Sequence, residues 1–439
     1  MHILLLSGGS GKRLWPLSNE IRSKQFLKLF PGPTGEYQSM VQRMYQGVSK
    51  MEGITGVTVA TSKAQLSPLY SQLGRQVDVC IEPCRRDTFP AIALAAAYLR
   101  DVKKIDCEET VVICPVDPYV QQDYFEALAD VGKLAQKGDS HLVLMGIAPT
   151  YPSEKYGYIL PQDTGTVSRV SAFIEKPDTA LAREYIRRGA LWNGGVFGCK
   201  LGYLLQKADE NLPFTSYTQL SQNYQKLTPI SFDYAVVEKE KQIQLLRFCG
   251  AWKDLGTWNT LTEAMEQPVI GKGMLSESCR HTYVVNELDI PILCMGLKDM
   301  VVSASPQGIL VSDLEQSSYM RPLVEKLDHP IRFAEKSWGS YRVLDVQQDS
   351  MTIKVTLHPG HRMQYHSHRF RDEIWNIVSG QGTAIVDGKR QEVGVGDAVF
   401  VQAGCRHTLW AKTQLVAIEV QMGKEISADD KQKYEWEDK

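Results

Sequence analysis

Residues 1–29 read MHILLLSGGSGKRLWPLSNEIRSKQFLKL, and their reading decides the fold. The run from His2 to Leu6 is apolar and stops at glycines. That pattern predicts a strand buried on both faces, in the middle of a parallel sheet. Ser7-Gly8-Gly9-Ser10-Gly11-Lys12-Arg13 follows. Glycines let the backbone turn sharply and approach a ligand closely. Successive N–H groups in such a turn form a concavity for an anion. Lys12, Arg13 and Lys24 add fixed positive charge, so the stretch reads as a strand followed by a polyphosphate loop. It is neither of two familiar phosphate loops. The spacer before Gly-Lys-Ser/Thr of a Walker A motif is missing, and the adjacent Gly8 and Gly9 break the dinucleotide spacing G-x-G-x-x-G. By itself such a turn could equally be a tight connection.

The bulk composition suits this reading. The chain has 439 residues, 43% hydrophobic and 23% charged, which predicts two to four globular domains. A formal net charge of −2 argues against nucleic acid or a membrane as the main partner. A polyphosphate would then need local positive charge, as the first loop supplies. No apolar segment is long enough to span a bilayer, and Met1 leads straight into a strand without a signal-peptide layout. Nine dispersed cysteines without paired metal spacing read as reduced thiols in the cytoplasm.

Outward from the first strand, residues 57–61 and Val77–Ile81 are further short apolar runs. An alanine-rich helix runs to Arg100, with Asp87 or Thr88 as its cap and Pro90 in its first turn. Thr110–Pro115 is a buried strand, and Asp117 follows its end. A carboxylate there lies where α/β sheets bind ligands, and a Mg²⁺-bound triphosphate needs one or two carboxylates. Gly157, between two tyrosines, would either bring backbone close to a flat ligand or serve as a hairpin glycine. Glu175-Lys176-Pro177 ends another strand and by itself could equally be a solvated turn. Asn193 can donate to and accept from a hydroxyl pair. Residues 231–239 read as a structural helix start, with Ser231 as cap and Tyr234 and Val237 on the core face.

As a set, these motifs resemble the sugar-phosphate nucleotidylyltransferases, specifically the mannose-1-phosphate guanylyltransferases. GGSGKRLWPLS with KQFLKL matches the family signature, with Ser23 where the family has proline. EPCRRDTFPAIALAA resembles EP…RNTAPAIALAA, with Asp87 for asparagine and Phe89 for alanine. Asp117 matches P-A-D-H, and PTYPSEKYGYI resembles P-T-x-P-E-T-G-Y-G-Y-I. FIEKP, WNGGVF and WKDLGTW resemble F-x-E-K-P, W-N-S-G-M-F and W-x-D-V-G-S-W. The resemblance implies Arg13, Lys24, Asp117 and Asp254 as catalytic residues, the two aspartates holding Mg²⁺. It implies Gly8, Gly9, Gly11, Glu82, Arg86, Asp87 and Thr88 at the nucleotide. Gly157, Glu175, Lys176 and Asn193 would bind the sugar phosphate. Lys12 is not fixed by it.

From Gln267 the composition turns to short β-type runs punctuated by glycine and proline. A charged linker, Glu325 to Glu335, leads to a third region holding five of the nine histidines (358, 361, 366, 368 and 407). Ile353, Val355 and Leu357 alternate as in a half-buried strand, and Asp387-Gly388 marks a hairpin. His366-x-His368, Glu373 and His407, with glycines at 360, 380, 396 and 404, match a cupin's metal arrangement. Histidines two apart on a strand point the same way. Such a set can hold Zn²⁺, Mn²⁺ or Fe²⁺. This part resembles the phosphomannose isomerase domain fused to many guanylyltransferases, whose Q-x-H-x-H adds Gln364 to the implied metal site. The family has H-x-H-R-x-E-H-W, whereas HSHRFRDEIW places Glu373 two residues later.

The expected architecture is therefore α/β. A Rossmann-like nucleotidyltransferase domain with a mixed, mostly parallel sheet (1–266) precedes a small β segment (267–325) and a cupin β-barrel (335–425). The resemblance implies GMP transfer from GTP to mannose 1-phosphate, with isomerisation of mannose 6-phosphate as a second activity. It implies no nucleic-acid or membrane partner and leaves a homo-oligomer open. The alternatives are another nucleotide or sugar phosphate, a cupin isomerase with a regulatory N-terminal domain, and a non-catalytic sensor.

Overall fold

The computed structural model describes residues 1–9, 12–32, 35–214, 216–327 and 330–436, without the side chains of Lys12 and Ala428. The chain divides into two compact units. One comprises 1–10, 23–66 and 73–266. The other takes 267–439 together with 11–22 and 67–72. The small β segment and the cupin thus share one unit, joined by half of the glycine-rich stretch.

The first unit is built on a nine-stranded sheet. Its strands are β1 (His2–Ser7), β2 (Gly56–Ser62), β3 (Asp78–Glu82), β4 (Thr110–Pro115), β6 (Leu142–Ile147), β7 (Tyr158–Pro161), β8 (Val167–Ile174), β9 (Leu191–Lys200) and β10 (Ile243–Phe248). The order is β3-β2-β1-β4-β9-β6-β10-β8-β7. As expected, β1 is central: it pairs in parallel with β2 and β4, and Ile3, Leu4 and Leu5 are fully buried. β9 runs antiparallel to β4 and β6, which makes the sheet mixed. Helix α1 (Thr88–Asp101) is apolar nearly all round and is correspondingly buried. Asp87 caps it, accepting from the Thr88 N–H at 2.8 Å. Helix α2 (Gln122–Lys137) buries one face through Tyr124, Leu128 and Val131 and ends on Gly138 in the left-handed conformation.

A separate two-stranded ribbon, β5 (Pro118–Val120) with β11 (Trp252–Asp254), lies just past the end of β4. Its register sets Asp254 opposite Pro118 and so beside Asp117. The short helix α3 (Phe232–Ala235) is capped by Ser231 as expected. Its buried residues are Phe232 and Ala235, three apart on one face, and Val237 beyond it is buried as expected, whereas Tyr234 is exposed, which corrects its expected place on the core face.

The second unit begins with a four-stranded sheet made by Val269–Ile270, β12 (Arg280–Asn286), β13 (Lys298–Ser305) and β14 (Gly308–Asp313). The cupin follows as two antiparallel sheets. One contains β15 (Phe333–Lys336), β16 (Gly339–Val346), β17 (Ser350–Leu357), β24 (Leu415–Met422), β19 (Asp372–Ser379) and β22 (Ala398–Val401) in that order. The other contains β21 (Lys389–Val393), β20 (Gly382–Val386), β23 (His407–Ala411), β18 (His366–His368) and β25 (Lys431–Lys433). Ile353, Val355 and Leu357 face the core, as their alternation requires. Asp387 and Gly388 both have positive φ in the β20–β21 hairpin, the two-residue turn expected of Asp-Gly.

Candidate active site and histidine cluster

The glycine loop leaves the C-terminal end of β1, where its carbonyls are held from below. Gln25 Nε2 donates to the Gly8 carbonyl at 3.2 Å, and Gln65 Nε2 donates to that of Gly9 at 3.0 Å. Arg85 Nη2 also donates to the Gly9 carbonyl, at 2.8 Å. Gln25 and Gln65 are fully buried, so these amides act as fixed supports for the turn. Gly9 has φ +128°, which suits glycine, whereas a Cβ on Gly8 would meet nothing within 4 Å. Gly11 and the Lys12 side chain lie outside the described residues. Arg13 is exposed and belongs to the second unit.

Lys24 binds the two aspartates that the sequence singled out. Its ammonium lies 2.8 Å from Asp117 Oδ2 and 2.9 Å from Asp254 Oδ1. Burial opposes the charge on Lys24, but the two carboxylates prevail and hold its pKa above the ordinary lysine value. A single cation thus already sits between Asp117 and Asp254. Asp117 and Asp254 thus face one cation from two separate segments, and carboxylate oxygens are the donor type that suits Mg²⁺.

A second group forms where β7, β8, β9 and α3 meet. Glu175 is buried, and its carboxylate pairs with Lys176 Nζ at 2.7 Å. Lys176 adopts φ +48°, and its side chain stays half exposed beside the Tyr234 ring. Asn193 sits at a bulge in β9, where its Oδ1 accepts from the Gly195 N–H at 3.1 Å and its Nδ2 donates to Asp233 Oδ1 at 2.6 Å. Gly157 is packed so tightly that a Cβ would lie 2.5 Å from Glu175 Oε2. Gly157, Glu175, Lys176 and Asn193 are therefore brought together, and Asp233 joins them.

Burial, with the charge of Glu175 adding to it, pushes the Asp233 carboxyl up to about 7. An acid whose folded pKa is raised binds its proton more tightly when folded. Its contribution to stability is complete below the unfolded value of 3.8 and is lost as pH rises through about 7. Asp233→Asn is therefore expected to narrow the fall in thermal midpoint between pH 5 and 8. An unchanged pH dependence in the variant excludes Asp233 as its source.

The remaining nucleotide candidates line the end of β3 and the start of α1. Glu82 accepts from the Tyr224 hydroxyl at 3.0 Å, and burial pushes its carboxyl up to about 7. Arg86 donates to the Gln225 carbonyl. The Thr88 hydroxyl accepts from the Phe232 N–H at 2.8 Å, tying this segment to α3.

In the second unit, the buried imidazoles of His366, His368 and His407 offer ligand atoms within 4.8 Å of one another, a spacing that could hold a metal. His366 Nδ1 and His407 Nδ1 lie 2.6 and 2.9 Å from the carbonyls of Gln364 and Cys405, which turns each Nε2 toward the cluster. Gln364 itself is exposed and meets the cluster through its backbone, which corrects its expected place as a side-chain ligand. Glu373 lies 3.2 Å from His368 Nε2 and 3.3 Å from His407 Nε2. Burial pushes the His366 imidazole down to about 2 and the His368 imidazole down to about 4, so both are neutral donors. One group disturbs the set: Arg371, also buried, lies 3.0 Å from His368 Nε2 and 3.3 Å from Glu373 Oε1.

Residues 2–268 match the family described as nucleotidyl transferase. The chain belongs to that family. Residues 326–436 match a second family, described as mannose-6-phosphate isomerase C-terminal. The chain is similar to the alginate biosynthesis protein AlgA of Pseudomonas aeruginosa, with 30% identity over 98% of this chain and 96% of the relative. It is 27% identical to the mannose-1-phosphate guanylyltransferase ManC of Salmonella typhimurium, over 99% of this chain and 97% of the relative. Among solved structures, the mannose-1-phosphate geranyltransferase of Thermus thermophilus aligns with 74% of this chain and 99% of its own. It does so with a TM-score of 0.64 and 30% identity.

Three supports of this candidate site escape a reading of the sequence. Gln25 stands within KQFLKL, yet neither its type nor that of Gln65 marks it as a support, because a glutamine in a polar loop is ordinarily solvated. Asp233 follows a serine cap, so the capping pattern explained it locally and hid its partnership with Asn193. No helix of the described residues is long and apolar enough to cross a membrane.

Proposed function

We propose that this nucleotidyl transferase moves GMP from GTP to mannose 1-phosphate, yielding GDP-mannose and pyrophosphate. The observation that carries the reading is the cation site between Asp117 and Asp254, at the end of a parallel strand beside the glycine loop. The names of the relatives supply the choice of nucleotide and sugar. Asp117 and Asp254 would hold Mg²⁺, whose chemistry is to neutralise charge on the phosphates. Lys24 supplies a further positive charge for the α-phosphate and the leaving pyrophosphate. The backbone amides of Gly8 and Gly9 orient the nucleotide over the end of β1. Glu175 and Asn193 position sugar hydroxyls, and Lys176 offsets the repulsion as the sugar phosphate approaches. The sugar phosphate oxygen attacks the α-phosphorus in line, so the protein's contribution is positioning and charge stabilisation. The nine free thiols suit a cytosolic setting.

Pyrophosphate release from a panel of nucleoside triphosphates and sugar 1-phosphates tests this reading. Release with GTP and mannose 1-phosphate is expected. Release only with another pair keeps the reaction and overturns the substrates. Gly157→Ala sharpens the assignment of the sugar side. Its Cβ would lie 2.5 Å from Glu175 Oε2 and 2.9 Å from the Phe173 ring. Overpacking of this kind costs about 1–3 kcal/mol. The expected result is a KM for mannose 1-phosphate raised about tenfold or more, with the KM for GTP little changed. A rise in the GTP KM alone would move the sugar away from Gly157. Isomerisation by the second unit is a separate activity, and the metal content of its histidine cluster decides it.

A further inference from the structure

We propose that Arg371 is the resident cation of the cupin centre and keeps a divalent metal out of it. Arg371 stands within HSHRFRDEIW, in the segment that separates His368 from Glu373 by two residues more than the resembled pattern. It is 7% exposed, and its guanidinium is turned into the cluster. Nη2 donates to His368 Nε2 at 3.0 Å, and Nε donates to Glu373 Oε1 at 3.3 Å. An imidazole nitrogen has one lone pair, and one that accepts from a guanidinium cannot also bind a metal. The guanidinium has no acceptor and keeps its charge, so it neutralises Glu373 permanently. Trp375 Nε1 and Gln421 Nε2 take up more of that carboxylate, at 3.3 and 3.4 Å. His368 then carries its proton on Nδ1, which is buried without a hydrogen-bond partner among the described residues.

Arg371 is also anchored from behind, so it is not free to swing away when a metal arrives. Nη1 donates to the Ser427 carbonyl at 2.8 Å and lies 3.8 Å from Asp430 Oδ2. Asp430 in turn accepts from the Arg369 and Phe370 N–H groups at 2.9 and 3.2 Å, fixing the loop that carries the arginine. The strand β25 that follows pairs with β18, setting Lys431 opposite His368. The donor set left for a metal is His366 and His407, facing a carboxylate already paired with the guanidinium. The cluster is therefore a buried polar network whose central cation is arginine.

The test uses the full chain, stripped with a chelator and titrated with Co²⁺ without nucleotide, reading the visible absorption of imidazole-bound cobalt. Wild-type protein is expected to give no absorption that His407→Gln removes. Arg371→Gln is expected to bind one equivalent at least about 100-fold more tightly, and adding His407→Gln abolishes that gain. Wild-type binding of one equivalent with an affinity near that of Arg371→Gln overturns the proposal. Elemental analysis of untreated wild-type protein decides it even if Arg371→Gln fails to fold. One equivalent of transition metal, absent from His407→Gln, overturns the proposal, and none supports it.

Discussion

Asp254→Asn is expected to lower kcat/KM for pyrophosphate release from GTP and mannose 1-phosphate about a thousandfold. The amide keeps the size of the carboxylate and removes one of the two negative charges around the cation site. Lys24 would remain paired with Asp117 at 2.8 Å, so the loop geometry is retained while affinity for a divalent cation is lost. Asp117→Asn should fall by a similar factor. The double variant should fall little further, because the two carboxylates act as one site. Both side chains are about one-third exposed, at 33% and 31%, so neither change should cost much stability. Unfolding curves that match wild type, together with lost activity, are the signature of a site effect. Activity within tenfold of wild type would remove Asp254 from the catalytic set and leave Asp117 and Lys24 with the glycine loop at the triphosphate.

Trp375→Ala is expected to destabilise the cupin by about 3–5 kcal/mol, the usual cost of truncating a fully buried large aromatic. The indole is 1% exposed and packs in the core that includes Ile353, Val355, Leu357 and Leu409. It also donates to Glu373 at 3.3 Å and lies 5.4 Å from the His407 ring. Loss of the indole therefore opens a cavity and removes a donor from a buried carboxylate. Trp375→Phe keeps most of the volume and should cost far less, about 1–2 kcal/mol from the lost hydrogen bond. Amide exchange in β19 and β24 is the right measurement, because a chain of two compact units need not unfold in a single step. Protection of those strands that survives Trp375→Ala would show that the cupin core does not depend on this side chain.

Much of the molecule is written locally. The buried run His2–Leu6, the alternation in 353–357 and the Asp-Gly hairpin each declare themselves within a few residues, because strand burial and turn geometry are short-range properties. The motif residues could also be named, but their arrangement could not. Asp117 and Asp254 meet because the Pro118–Val120 ribbon strand pairs with Trp252–Asp254, a contact between segments far apart in the chain. That Lys24 lies between them depends on the same pairing. Gln25 and Gln65 hold the glycine loop through buried amide contacts that leave no pattern in the sequence. Gln364 fitted the resembled Q-x-H-x-H motif, yet the strand start turns its carbonyl toward His366 and leaves its side chain exposed.

Legible before folding were the fold class, the strand that anchors the glycine loop, and the chemistry of each motif. The strand and the turn follow from periodicity and glycine conformation, and the fold class and motif roles from the resemblance of the motifs to a known family. Only the tertiary structure decided which charges face one another: Lys24 between two aspartates, Asp233 under Asn193, and Arg371 against His368 and Glu373. The physical reason is that an ionic or polar side chain declares its partner only when packing removes water from around it. Until then, Arg371 in HSHRFRDEIW is one more solvated charge, and inside the barrel it becomes the cation its neighbours must accommodate.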